Sequence, residues 1–175
     1  MHSKIDKNPN DKQGTGVRAE EQISFVQLRD VSEDEIMSHM SDPRVAEHMP
    51  LLTFKWDKDA LVKFIAAKEE CWRRDGLGHW AILYQGTYVG WGGFQKEGSE
   101  WDFGLVLKPE CFGLGQKITK KALVFAKADS RIPFITFLLP LSRTKTAALK
   151  RLGAKFIEEI ELEGAVFKKY KLDTA

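Results

Sequence analysis

The stretch from Trp101 to Ile118 constrains the fold most, because its hydrophobic period changes within a few residues. Trp101, Phe103, Leu105 and Leu107 alternate with Asp102, Gly104, Val106 and Lys108, the two-residue period of a strand. Pro109 stops that strand, since it has no N–H for a sheet ladder. Gly113 and Gly115 follow, and then Ile118, Ala122, Phe125 and Ala126 recur at helical spacing. A helix N-terminus behind bare glycine backbone favours an anion, because its first N–H groups lack partners and its dipole end is positive. The stretch therefore predicts a strand, a glycine loop and a helix that together cradle a phosphate or pyrophosphate of a nucleotide-like cofactor.

The rest of the chain reads as one mixed α/β unit around this segment. A first strand is expected over Ile23–Leu28, and Ser32 with Glu35 predicts a capping box opening a helix through about Met40. Asp42-Pro43 starts a turn or short helix through Val45, Ala46 and His48, ended near Pro50. The strongest helix runs from Trp56 to Arg74, with Leu61, Phe64, Ile65 and Trp72 on one face and Gly76 as its stop. His79–Tyr84 and Thr87–Trp91 form a hairpin across Gln85-Gly86. Gly90, Gly92 and Gly93 mark a bulge or the close approach of another backbone. Phe134–Leu139 is a continuous apolar run, as in a strand covered on both faces. Thr144 or Thr146 caps a short helix that Gly153 ends, and a hairpin of Phe156–Leu162 and Val166–Leu172 closes the chain.

Composition narrows the function classes. The 175 residues suit one domain with a real core, and 43% hydrophobic with 30% charged residues is ordinary for a soluble globular protein. A net charge of +2, spread along the chain, argues against nucleic acid or an anionic membrane as partner. Cys71 and Cys111 offer no metal-ligand spacing and read as free thiols. No metal is expected. Residues 1–20, polar and poor in apolar groups, read as a flexible tail ahead of a single domain over 21–175. With no apolar signal core and no membrane-length run, the expected location is cytoplasmic.

Two familiar phosphate loops do not fit. No Gly-x-x-x-x-Gly-Lys-Ser/Thr is present, and the third glycine of a dinucleotide fingerprint is replaced by Ile118. The order of elements, however, resembles the GNAT superfamily of acetyl-CoA-dependent N-acetyltransferases over nearly all of Ile23–Leu172. Glu110-Cys111-Phe112-Gly113-Leu114-Gly115 is similar to that family's pyrophosphate loop, Arg/Gln-x-x-Gly-x-Gly/Ala, with both glycines matched and Glu110 departing from it. Asp42-Pro43-Arg44-Val45, Met49-Pro50, the helix from Trp56, and Gly153 after Lys150-Arg151-Leu152 resemble the branch of ribosomal-protein N-terminal acetyltransferases. In that branch an Asn and a Ser contact the pantetheine arm; Ser142 and Lys145 stand there in this chain.

The resemblance implies a mixed, mostly antiparallel central sheet of about six or seven strands flanked by helices. It implies acetyl-CoA as co-substrate, held by Val106, Leu107, Lys108, Phe112, Gly113, Leu114, Gly115, Gln116, Lys117 and Ser142. The implied reaction is direct attack of a primary amine on the thioester within a ternary complex, in a monomer or homodimer. An N–H from about Val106 or Leu107 would face the thioester oxygen. Asp102, in the strand on the face opposite Trp101 and Phe103, is the candidate base or holder of a basic water. Ser142 is the candidate that aids the leaving thiolate, because Leu149 occupies the position of the family's usual acidic Tyr. A protein N-terminus or a small amine is the expected acceptor. The alternative is a non-catalytic acyl-CoA sensor of the same fold.

Overall fold

The computed structural model describes residues 22–52 and 55–175, so the tail expected over 1–20 lies outside the described residues. Among the described residues seven strands form one sheet: β1 (Ile23–Val26), β2 (His79–Tyr84), β3 (Thr87–Glu97), β4 (Glu100–Leu107), β5 (Phe134–Pro140), β6 (Lys155–Leu162) and β7 (Ala165–Asp173). Their spatial order is β1-β2-β3-β4-β5-β7-β6, and only the β4–β5 pair is parallel. Among the described residues five helices flank the sheet: α1 (Glu33–Met40), α2 (Pro43–Ala46), α3 (Lys58–Asp75), α4 (Gly115–Ala128) and α5 (Ala147–Arg151). The expected mixed, mostly antiparallel sheet is therefore the observed one.

Each face of β4 serves a different layer. Trp101 and Phe103 join Phe94, Ala122, Ala126 and Phe137 in the core beneath α4. Val106, from the alternate set, packs with Trp91, Phe64 and Leu61 beneath α1 and α3. Burying such side chains contributes roughly 1.5–3 kcal/mol each, enough to fix the strand's register against a one-residue slip.

Local chemistry explains the helix and turn boundaries. The Asp57 carboxylate accepts from the Ala60 N–H at 2.8 Å, so α3 starts at Lys58, just after Trp56. Gly76 ends it at φ +71°, a left-handed position that costs a side-chain-bearing residue energy. The β2–β3 turn has positive φ at both Gln85 and Gly86, which matches the strand twist.

Several boundaries differ from expectation. The first strand stops at Val26, and Leu28–Asp30 is a 3₁₀ turn. Ser32 sits at the N-cap of α1 but makes no capping hydrogen bond, and Glu35 instead pairs with Lys108 at 2.9 Å. The strand expected over Thr87–Trp91 continues to Glu97 because β4 pairs with it along its length. Gly90 and Gly92 permit that approach: a Cβ there would lie 2.4 Å from the Val106 carbonyl oxygen and 2.3 Å from that of Gly104. Thr146 occupies the N-cap of α5 without a side-chain bond, and Gly153 follows that helix at φ +96°.

Candidate active site

β4 and β5 begin as neighbours and then part. Their register pairs Trp101 with Ile135 and Asp102 with Thr136, and no further rung follows. Beyond Asp102 the two strands splay, and a cavity of about 590 Å³ opens between them. Gly104, Val106 and Leu107 line it from β4, while Leu138 and Leu139 line it from β5. The backbone edge of β4 that faces the gap has no ladder partner from β5 beyond that last rung.

One end of the cleft meets the glycine turn. Pro109–Leu114 forms a 3₁₀ turn, and Gly115 begins α4. Neither Gly113 nor Gly115 adopts positive φ, so their use here is not conformational. A Cβ on Gly113 would meet nothing within 4 Å, and one on Gly115 would meet only the Leu107 side chain at 3.8 Å. The backbone is bare, and a fourteen-residue helix points its positive end at this turn. Phe112, Gly115 and Thr119 line the cleft here, with Arg143 and Lys145 across from them. Glu110 is exposed on the same turn. Burial pushes the Cys111 thiol up, which disfavours a nucleophilic thiolate.

The other end lies under α1 and α3. Met40, Trp56, Phe64 and Trp91 give it an apolar, aromatic wall. Lys68 also lines this end. Its ammonium donates to Gln95 Oε1 at 3.0 Å and sits 4.9 Å from the Trp91 ring centre and 5.5 Å from that of Phe64. Burial holds Lys68 down to about 8, against a smaller opposing pull from Cys71 and Glu97.

Asp102 stands at the fork itself. Its Oδ1 accepts from the Thr136 hydroxyl at 3.0 Å, and its strand partner on the other side is Gln95. Burial pushes the carboxyl up to about 7, opposed by the Thr136 hydrogen bond and aided by Glu97. Asp102 lies one rung behind the cleft lining, two residues before Gly104. His79 is buried on this face, with neither ring nitrogen hydrogen-bonded, and burial plus Lys68 keep it neutral. The Cβ position of Gly104 is 3.5 Å from the His79 ring.

The residues named from sequence divide into groups. Val106, Leu107, Phe112 and Gly115 line the cleft. Gly113, Leu114, Gln116 and Lys117 belong to the turn and first helical residues beside its mouth. Lys108 is turned away into its ion pair with Glu35, 5.3 Å from the Tyr88 ring centre. Ser142 lines an adjoining groove with Glu47 and Glu163, and its Oγ lies 3.0 Å from His48 Nδ1. His48 lines the main cleft, so this contact ties the two spaces together. Lys68, Thr136 and Gln95 were not singled out from sequence. Lys68 left a signal: it falls on the apolar stripe of α3 with Leu61, Phe64, Ile65 and Trp72.

The site is thus a parallel strand pair that splays into a cleft, with a glycine turn and a helix N-terminus at one end of it. Residues 25–155 match the acetyltransferase (GNAT) domain model, and the chain belongs to that family. No curated protein sequence matches it. Among solved structures it is similar to an acetyltransferase from Agrobacterium tumefaciens, with 16% identity, TM-score 0.69 and 98% of each chain covered. It is also similar to the spermidine N-acetyltransferase of Vibrio cholerae in complex with CoA and spermine, at 10% identity and TM-score 0.68, covering 87% of this chain and 96% of that one. A third is RimL, a ribosomal L7/L12 alpha-N-protein acetyltransferase, at 11% identity and TM-score 0.67, covering 87% and 90%. At such identities the likeness is one of fold.

Proposed function

We propose that the protein transfers the acetyl group of acetyl-CoA to a primary amine by direct attack in a ternary complex. The observation that carries this reading is the fork after Asp102 and Thr136, which opens one cleft to both layers. The bare turn at Gly113 and Gly115 supports a pyrophosphate there, with Gln116 and Lys117 at the helix start and Phe112, Leu114 and Arg143 beside it. The pantetheine arm runs between Val106–Leu107 and Leu138–Leu139. An unladdered N–H of β4 donates to the thioester oxygen as it gains charge. Of the two candidates Leu107 faces the gap, while Val106 belongs to the alternate set whose backbone groups face β3. Lys108 offers the cofactor no free hydrogen-bonding group: its ammonium pairs with Glu35, its N–H donates to the Val89 carbonyl and its own carbonyl accepts from the Cys111 N–H.

The amine enters from the side of Met40, Trp56 and Trp91. Its lone pair forms the new C–N bond while the C–S bond breaks and CoA leaves as thiolate. The amine proton passes to Asp102 through a water at Gly104, since Asp102 stands one rung behind the cleft. A carboxyl near 7 is matched to that task. Ser142 lines the adjoining groove, 3.0 Å from His48 at the cleft, and is the candidate hydroxyl for the leaving sulfur. Two of the similar enzymes are named for amine acceptors, a spermidine N-acetyltransferase and a ribosomal L7/L12 alpha-N-protein acetyltransferase, which supports an amine here.

A second reading, a non-catalytic acyl-CoA-binding module, draws on Leu149, whose aliphatic side chain lines the cleft where the resemblance expects an acid. Release of free CoA thiol across an amine panel tests between them. Thermal stabilisation by acetyl-CoA without thiol release for any amine would favour the module.

A further inference from the structure

We propose that the acceptor is an amine that also carries a carboxylate and an apolar side chain, a free apolar α-amino acid, with Lys68 holding the carboxylate. This rests on the reading of the cleft as an acyl-transfer site and goes further by naming the acceptor class. Lys68 is a cation lining a largely apolar cavity, and its described partners are one amide oxygen and the faces of two aromatic rings. Such a cation is poorly compensated, because none of these groups carries a full negative charge. The charged and titratable groups that act on it are Cys71 on its own helix, Glu97 from β3 and His79 from β2. Glu97 is exposed and accepts from Gln95 rather than from Lys68. A ligand carboxylate is the group that completes the site.

The lining also excludes the opposite charge. Among the described residues the cleft contains Lys68, Arg143 and Lys145 but no aspartate or glutamate. A polyamine would place its second ammonium beside Lys68 with no carboxylate to offset the repulsion. Arg143 and Lys145 stand opposite the glycine turn, where a pyrophosphate uses them, which leaves Lys68 for the acceptor. The aromatic wall of Trp56, Phe64 and Trp91 suits an apolar side chain.

Reach agrees with this division. In an α-amino acid the amine nitrogen and carboxylate carbon are separated by one atom, about 2.5 Å. A carboxylate at Lys68 therefore puts the amine beside it on the same face of β4. Lys68 lies 4.9 Å from the Trp91 ring centre, that ring packs on His79 at 5.4 Å, and the Cβ position of Gly104 is 3.5 Å from the same His79 ring. The amine then sits at the rung next to Asp102.

The test follows free CoA thiol from the full chain with acetyl-CoA and matched acceptors: L-leucine, L-methionine and L-phenylalanine, their amides, and spermidine. The expected kcat/KM for each amino acid exceeds that of its amide by at least about tenfold, with spermidine slower still. Lys68→Met reduces the acid-to-amide ratio to near one, and Lys68→Arg retains part of it. Amides or spermidine turned over as well as the amino acids, or a ratio unchanged in Lys68→Met, overturns the acceptor assignment. In that case thiol release with any of these amines still supports the acyl-transfer reading, whereas stabilisation by acetyl-CoA without thiol release favours the binding module and overturns the acceptor assignment. If acetyl-CoA neither stabilises the protein nor yields thiol with any amine, both readings fall. If Lys68→Met does not fold, the wild-type ratio decides.

Discussion

Thr136 donates its hydroxyl to Asp102 Oδ1 across 3.0 Å at the last rung that joins β4 to β5. The bond does two things at once. It closes the sheet at the point where the cleft begins, and it favours the charged form of a carboxyl that burial otherwise keeps protonated.

Replacing that hydroxyl should therefore move a titration without moving the fold. In Thr136→Val the shape is kept and the hydrogen bond is lost. The acid limb of the kcat/KM profile, expected near 7, shifts upward by about one unit. A profile that stays in place would remove Asp102 from the proton path.

Asp102→Asn separates chemistry from stability. Loss of the base lowers kcat/KM by about 10²–10⁴ and flattens the acid limb. Stability moves the other way. The folded carboxyl, at about 7, binds its proton more tightly than the unfolded one near its ordinary value. The native state therefore holds more protons between those values, and stability falls as pH rises through this window. Each unit of separation costs about 1.4 kcal/mol above the folded value. Denaturant titration at pH 8 should find Asp102→Asn no less stable than wild type, a result a purely structural Asp102 would not give.

The two glycine positions give a contrast. A Cβ on Gly92 would lie 2.3 Å from the Gly104 carbonyl oxygen and 2.9 Å from the Leu105 Cα, both backbone. Gly92→Ala must push β4 away from β3 and is expected to cost about 3 kcal/mol or more, read as a fallen melting temperature. Gly113→Ala meets no atom and no left-handed backbone, so its melting temperature should change little. Its methyl instead covers the bare turn, and the concentration of acetyl-CoA needed for half-maximal stabilisation should rise about tenfold. An unchanged requirement would take the turn out of cofactor binding.

The sheet and its helices were legible because alternation and capping are local. Trp101 to Leu107 wrote one face for α4 and one for α3, and Gly76 and Gln85-Gly86 marked their own turns. The glycine turn was legible as bare backbone ahead of a helix, and the structure adds that neither Gly113 nor Gly115 is there for a left-handed conformation. The partners of Asp102 were not legible. Thr136 and Gln95 reach it from other strands, a relation that parallel and antiparallel registers create and no short spacing encodes. Glu35 misled for the same reason: its local role as a capping residue lost to a charge from far along the chain, Lys108.

Lys68 offers the last prediction, independent of any acceptor. Its folded ammonium titrates at about 8, below the ordinary lysine value, because α3 buries it against Phe64 and Trp91. The unfolded chain thus binds more protons between about 8 and the ordinary value, and stability rises with pH across that interval. Lys68→Met keeps the apolar stem and removes the charge. At pH 7 the variant is expected to be more stable than wild type by roughly 1–3 kcal/mol, an advantage that shrinks as pH approaches 10. Paired denaturant titrations at pH 7 and 10 read the difference. A constant gap, or a variant less stable at pH 7, would mean that this ammonium carries no desolvation cost. The cleft would then lack the uncompensated cation that its acceptor assignment requires.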